Sequence, residues 1–261
     1  MKRLFVFGLG YTAGRIAEAL RGSGWQVDAT GSAGNLSFED ADAVRAALAQ
    51  ASHVLSSVPP AEESDPVLDR YGEVLHGKWL GYLSSTGVYG DVGGAWVDES
   101  SPTGGGRRPA RVDCDARWLD VGARVFRLPG IYGPGRSAFD RVLSGKAHRI
   151  DLPDQVFSRI HVDDIVRGVV AAIVSDAPPG AYNLADDLPT SQNAVIEEVC
   201  RLTGVEPPPL QTMDEAALSP MARGFYSENR RVANGKAKRV LGWQPRHATY
   251  REGLASIMAR A

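Results

Sequence analysis

Lys2-Arg3-Leu4-Phe5-Val6-Phe7-Gly8-Leu9-Gly10-Tyr11-Thr12-Ala13-Gly14-Arg15-Ile16-Ala17 is the stretch on which the reading of this chain turns. Leu4 to Phe7 is an unbroken apolar run, the pattern of a strand buried on both faces of a parallel sheet. It runs directly into Gly8, Gly10 and Gly14. Ile16, Ala17 and Leu20 then give the apolar face of a helix expected to stop at Gly22 or Gly24. Strand, glycine turn and helix together are the context that a dinucleotide fingerprint requires. Lacking a Cβ, Gly8 can make the tight turn and Gly10 can let main chain approach a pyrophosphate, while Gly14 is expected to let helix and strand pack closely. The helix start adds free N–H groups and the positive end of a dipole. Gly8, Gly10, Tyr11, Thr12, Gly14 and Arg15 are therefore the first candidate cofactor contacts.

The bulk properties narrow the function classes. At 261 residues the chain suits one sizeable unit, or a nucleotide-binding domain with a smaller appendage, and 43% hydrophobic residues suffice for a core. Lys+Arg 29 against Asp+Glu 31 leaves a net charge of −2, which gives no electrostatic reason to expect nucleic acid or an anionic membrane surface. Cys114 and Cys200 are the two cysteines, too few and too far apart for a zinc set or a disulfide framework, so no metal is expected. The chain enters a strand at once, without a signal-peptide pattern, and no apolar run approaches ~18 residues. A soluble, cytoplasmic protein with a small-molecule substrate is the expectation.

Farther along, Gln26 to Thr30 reads as a second strand. At its end, where an acid usually holds the ribose hydroxyls of NAD, the chain has Gly31-Ser32. That leaves room for a 2′-phosphate, which Arg15 is in a position to reach; the expected cofactor is NADP or NAD, with a lean to NADP. Ser37-Phe38-Glu39-Asp40 resembles a capping box for the next helix. His53 to Val58 is a strand ending at Pro59-Pro60, and Ser57, Val58 and Pro59 should border the ligand crevice, which lies at the carboxyl ends of the strands. Ser64-Asp65-Pro66 gives an N-cap and a first-turn Pro for a helix through Val67, Tyr71 and Leu75, Trp79 to Thr86 is a strand, Pro109 to Val121 a helix and Arg124 to Leu128 a strand. The alternation predicts an α/β fold, a Rossmann-like doubly wound parallel sheet. Residues 1–160 would form the dinucleotide-binding part. Residues 161–261 would complete the sheet and add a small C-terminal substrate lobe, most simply as one integrated unit.

Taken together, five ordered stretches resemble the extended short-chain dehydrogenase/reductase superfamily, in particular its NAD-dependent epimerase/dehydratase group. They are the glycine turn at Gly8 to Gly14, Ser84-Ser85-Thr86-Gly87-Val88-Tyr89-Gly90, Arg127-Leu128-Pro129-Gly130-Ile131-Tyr132-Gly133-Pro134, Ile160-His161-Val162-Asp163-Asp164 and Tyr182-Asn183-Leu184. The resemblance implies cofactor contacts at Ser84 and Pro129. It also implies a hydroxyl at Ser85, four residues before Tyr89, that hydrogen-bonds the reacting oxygen of the substrate. A hydroxyl at a strand's carboxyl end can steady a developing alkoxide.

The family's tyrosine and lysine, four residues apart on the following helix, are replaced. Aligned through Asp115 and Trp118, Arg107 stands at the tyrosine position and Arg111 at the lysine position, and no tyrosine lies between Tyr89 and Tyr132. Arginine does not exchange protons near pH 7, so Arg111 can supply only positive charge or hold a ribose. The pattern resembles the atypical branch that keeps the cofactor site and loses this pair. Tyr132 is the preferred substitute acid, ahead of Tyr89 and His161; His161 is read as structural. Two functions follow: an NAD(P)-dependent oxidoreductase, epimerase or dehydratase acting on a hydroxyl or carbonyl of a polar substrate, nucleotide sugars among the candidates, or a non-catalytic NADP(H) sensor. The resemblance also allows a homodimer through helices near Val67–Leu75 and Pro109–Val121, with a monomer as the alternative.

Overall fold

In the computed structural model, which describes residues 2–61 and 64–260, the opening apolar run forms β1 (Arg3–Phe7), followed by α1 (Tyr11–Gly22). β2 (Gln26–Ala29), α2 (Ala41–Gln50), β3 (His53–Ser56) and α3 (Pro66–Tyr71) come next. β4 (Trp79–Ser85) runs into a 3-10 turn at Thr86–Tyr89. Then follow β5 (Trp96–Val97), α4 (Pro109–Asp120), β6 (Arg124–Leu128) and β7 (Gly130–Tyr132). The remainder holds α5 (Phe139–Leu143), β8 (Arg149–Ile150), β9 (Arg159–His161), α6 (Val162–Val174) and β10 (Gly180–Asn183). It ends with α7 (Gln192–Thr203), β11 (Leu210–Gln211), α8 (Pro220–Phe225), β12 (Arg231–Val232), α9 (Gly235–Leu241) and α10 (Tyr250–Met258).

Six strands make one sheet in the order β10-β6-β4-β3-β1-β2, every neighbouring pair parallel. Side chains alternate across it as a strand's period of two demands. Leu4 and Val6 pack with Ile16 and Leu20 of α1, Val169 and Ile173 of α6 and Leu241 of α9. Phe5 and Phe7 pack on the other face with Val44 and Leu48 of α2, Leu68 of α3 and Trp118 of α4. Burial on both faces explains the unbroken apolar run. β1 has β2 on one side and β3 on the other, so the order reverses beside the glycine turn, where open α/β sheets form their ligand crevice. Beyond β2, among the described residues, a single parallel bridge between Thr30 and Leu36 follows.

Local chemistry accounts for the element boundaries. Asp65 caps α3, its Oδ1 accepting from the N–H of Val67 (3.0 Å) and Leu68 (2.9 Å) while Oδ2 accepts from Trp118 Nε1 (2.7 Å). The expected capping box at Ser37 is not what opens α2. The cap is Asp40, which accepts from Ala43 N–H at 3.1 Å, because Ser37 Oγ is turned to Glu39 N–H. A capping box does open α10, at Thr249 and Glu252. The helices expected to carry a dimer contact, α3 and α4, are tied to each other by Arg117 and Asp69 at 2.7 Å.

The C-terminal third both completes the sheet and covers it. β10 is an edge strand, and its outward polar groups are plugged by side chains: Glu99 accepts from Asn183 N–H at 2.7 Å, and Lys236 Nζ donates to the Ala181 carbonyl at 2.8 Å. Asp164, at the start of α6, brackets the segment before α10. It accepts from the main-chain N–H of Arg246 (2.6 Å) and His247 (3.0 Å) and from His247 Nδ1 (2.9 Å), and the Asp164 carbonyl takes Trp243 Nε1 at 3.0 Å. Tyr132, Val195, Val199, Tyr250 and Leu254 form the separate core of a small lobe.

Candidate functional site

The glycine turn closes through two contacts. Gly8 has φ +80, and a Cβ on it would stand 3.0 Å from a Val58 methyl, so this position requires glycine. Its carbonyl accepts from Ser57 Oγ. Gly31, at φ +109, lets the loop after β2 reach the Leu9 amide: a Cβ there would meet that nitrogen at 2.8 Å, and Leu9 N–H donates to the Thr30 carbonyl at 2.8 Å. Gly8, Gly31, Ser57 and Val58 thus converge on one spot at the carboxyl ends of β1, β2 and β3.

Gly10 and Gly14 differ from Gly8. A Cβ on either meets nothing within 4 Å. For Gly10, which is exposed, the open space is a cradle that a side chain would fill, and it lies over the first turn of α1. A pyrophosphate suits such a place, with free main-chain N–H groups below it. Gly14 does not mediate the close helix–strand packing expected of it. Tyr11 and Thr12 open α1; Thr12 is buried, and Tyr11 donates its hydroxyl to the Pro134 carbonyl at 3.0 Å, joining α1 to the loop after β7. Ser32 and Pro59 are exposed and Pro129 half-buried at their strand ends.

Arg15 lies on the first turns of α1. Its guanidinium lies over the Tyr11 ring (5.0 Å) and 3.8 Å from Asp163, on the α6 side of α1.

Ser85 ends β4. Its Oγ accepts from Gly87 N–H at 3.1 Å, and among the described residues the hydroxyl proton has no acceptor. The register pairs Phe7 with Ser56 and Ser56 with Tyr82, so Ser85 stands three residues beyond the level of Phe7. That is roughly 10 Å farther along and, two strands over, roughly 10 Å across. An extended ligand laid over the glycine turn reaches Ser85.

Below Ser85 lies a buried charged network. Arg127 donates Nε and Nη2 to Asp115 (2.6 Å for Nη2) and Nη1 to the Tyr89 hydroxyl (3.0 Å); Ser84 Oγ donates to Asp115 at 2.6 Å, and Tyr89 donates to Asn183 at 2.8 Å. Burial alone would pull the Arg127 guanidinium down, but Asp115 and Tyr89 hold it above the ordinary arginine value. The Ser84 hydroxyl is therefore taken by α4 and does not face a cofactor. Arg111 lies half-buried on α4 one turn before Asp115, and among the described residues it enters no ion pair.

The substitute acids do not stand in the crevice. The Tyr132 ring is packed into the lobe core against Gly253 of α10, where a Cβ would meet its hydroxyl at 2.0 Å. That hydroxyl is buried with no hydrogen-bond partner among the described residues, and burial, then Asp186 and Asp164, push its pKa far up. Tyr132 is thus a core residue and not an acid; the tyrosine of the crevice-side turn was placed in the site because side-chain direction after a short strand is not legible in its spacing. Tyr89 is buried and committed to Asn183 and Arg127, and burial raises it as well. His161 caps α6 by accepting Asp163 N–H at 3.2 Å, and burial and the neighbouring His247 lower it to about 4. His161, Asp164 and His247 bring ligand-type atoms within 4.8 Å of one another, but both Asp164 oxygens already accept N–H groups. Arg230 and Arg231 are bound internally too, to Glu228 and the Gly90 carbonyl and to the Gly94 carbonyl respectively.

An all-parallel sheet with a glycine turn at its switch point and a serine-ended fourth strand gives this chain the fold that solved epimerase/dehydratase and short-chain dehydrogenase/reductase proteins share. The chain belongs to the same family as a functionally unknown conserved protein of Silicibacter pomeroyi, 38% identical with a TM-score of 0.89 over 100% of this chain and 99% of that one. Human epimerase family protein SDR39U1, solved with NADPH, shares the fold at 16% identity and a TM-score of 0.79, covering 99% of this chain and 100% of that one. A 3-diazoavenalumate denitrifying reductase of a Streptomyces species is 36% identical over 149 residues, 52% of this chain; the match spans about half of that relative's length, 47%. A scan against protein-family models finds no match.

Proposed function

We propose that the crevice binds NAD(P) and that the protein is a reductase, epimerase or dehydratase-type oxidoreductase for a hydroxyl or carbonyl of a small polar substrate. The observation that carries this reading is the open cradle at Gly10, with half-buried Ser85 at the carboxyl end of β4 two strands over. The name of the Streptomyces relative, a reductase, and the NADPH held by the human protein support it. Bound there, the nicotinamide supplies hydride chemistry. The chain's own part is to hold the diphosphate over the α1 amides, to keep the cofactor against Ser57 and Val58, and to donate a hydrogen bond from Ser85 to the reacting oxygen. With Arg15 engaged by Asp163, NAD and NADP both remain in the proposal. Among the described residues no helix is long and apolar enough to cross a membrane.

Gly10→Val is the clean test of cofactor binding. Because nothing surrounds a Cβ there, the variant should fold normally while NADPH and NADH affinity falls by about 100-fold or more. Retained affinity would refute the site. For catalysis, Ser85→Ala should lower kcat by about 10²–10³ with KM for cofactor unchanged, read as NADPH oxidation against aldehydes, ketones and nucleotide sugars. A second reading, a cofactor sensor without turnover, is favoured by one feature: Arg107 fills the tyrosine position and is tied to Glu228. Tight cofactor binding with silence across that panel would put the sensor in place of the enzyme.

A further inference from the structure

The loop before α4 is pressed onto the turn that carries Ser85. Gly104 N–H donates to the Val88 carbonyl at 3.0 Å, and a Cβ on Gly106 would stand 2.2 Å from the Gly87 carbonyl oxygen. Gly87 is itself the residue whose N–H Ser85 accepts. Arg107 is next in the chain, so its backbone begins at the rim of the proposed crevice.

Its side chain is 44% exposed and is held along its Nε edge. Arg107 main-chain N–H (3.1 Å) and Nε (3.2 Å) both donate to Glu228 Oε1. The side chain of Glu228 is only 9% exposed, and its second oxygen takes Arg230 Nη1 at 2.8 Å, a group that also reaches the Gly90 carbonyl at 2.7 Å. Gly224 of α8 lies against Arg107 Nη1. Glu228 thus grips the Nε edge of Arg107, and among the described residues Nη1 and Nη2 have no hydrogen-bond acceptor. Two arginines share one carboxylate, so this trio keeps one positive charge in excess.

From this we infer that Arg107, held by Glu228 as a positioning residue, is the receptor for an oxyanion on the substrate, a carboxylate or a phosphate. A guanidinium with its Nε edge occupied still offers the two parallel N–H bonds of its Nη edge, the fork that matches two oxygens of such a group. The inference rests on the crevice reading above and gives that site a substrate class: anionic, bound at the place where the family's tyrosine would stand. A mere surface ion pair would pin the loop without selecting a ligand.

The test uses the whole chain. NADPH affinity is measured first for the wild type, Arg107→Gln, Arg107→Lys and Glu228→Gln, and should be equal in all four. Matched probes are then titrated with saturating NADPH: benzoate against benzamide, and phenyl phosphate against phenol. In the wild type the anion of at least one pair should bind about tenfold or more tighter than its neutral partner, and the better of the two anions identifies carboxylate or phosphate. Arg107→Gln should erase the preference, Arg107→Lys should restore part of it, and Glu228→Gln should weaken it with the fold intact. Equal binding of charged and neutral probes, or a preference that survives Arg107→Gln, overturns the inference. An anion preference that persists without any NADPH binding would instead overturn the crevice reading and keep the Arg107 site.

Discussion

Asp115→Ala is expected to lower the unfolding free energy by about 3–5 kcal/mol. The substitution leaves the Arg127 guanidinium in place but alone, with its side chain 5% exposed and the bonds to its counter-ion gone. It also strips the Ser84 hydroxyl of its acceptor. A single unpaired charge in a site from which water is excluded costs far more than the pair contributes, so the double variant Asp115→Leu/Arg127→Met should recover much of the loss. Urea unfolding of the three proteins decides it. A loss under about 1 kcal/mol in Asp115→Ala would mean that the pair is dispensable to the fold. Because Ser84 and Ser85 are neighbours, the same variant should loosen the Ser85 turn and lower turnover in the folded fraction.

The second large effect lies at the bracket on α6. Asp164→Ala removes one carboxylate and orphans the half-buried main-chain N–H of Arg246 and, fully buried, the main-chain N–H and ring donor of His247. At about 1–3 kcal/mol for each unsatisfied group, a loss of about 3 kcal/mol or more is expected. The pH dependence follows from the same bonds. Burial by itself would raise the Asp164 carboxyl, but the donors from His247 and Arg246 hold it below the usual aspartate value. A folded-state value below the unfolded value of about 3.9 means that this contribution is fully present above pH ~5 and is lost as pH falls through 3.9 toward the folded value. Asp164→Asn, which cannot titrate, should keep part of the stability at neutral pH and lack that share of the acid-limb loss. An acid limb of unchanged steepness in Asp164→Asn would assign the pH dependence to other carboxylates.

Much of the sheet was legible because its signals are local. Leu4 to Phe7 carries no polar residue and became a strand covered on both faces; Asp65 before Pro66 became a helix cap. The glycines were legible as a turn, but not which of them the protein itself requires. Only the folded contacts separate Gly8, which a methyl group of Val58 blocks, from Gly10, which nothing blocks. Arg127 did leave a mark in the sequence, a charge inside Val125-Phe126-Arg127-Leu128, which demands a buried partner; the partner, Asp115, is set by α4 packing and not by spacing. Tyr132 was misplaced for the opposite reason, since a tyrosine in a crevice-side turn can point either way and α10, which draws it into the lobe, arrives more than a hundred residues later. Glu228 had no signal at all: its role exists only because the segment after α8 returns to the loop before α4.

The plugged edge of β10 bears on how the chain reaches its final form. Glu99 is made early and Lys236 late, so during synthesis the last strand of the sheet has one of its stoppers long before the other. Until residue 236 has emerged and α9 has docked, Ala181 offers an open carbonyl to any strand from a neighbouring nascent chain. Truncation ahead of that lysine would therefore yield a species whose hazard is self-recruitment into oligomers, a failure of quality control rather than of chemistry.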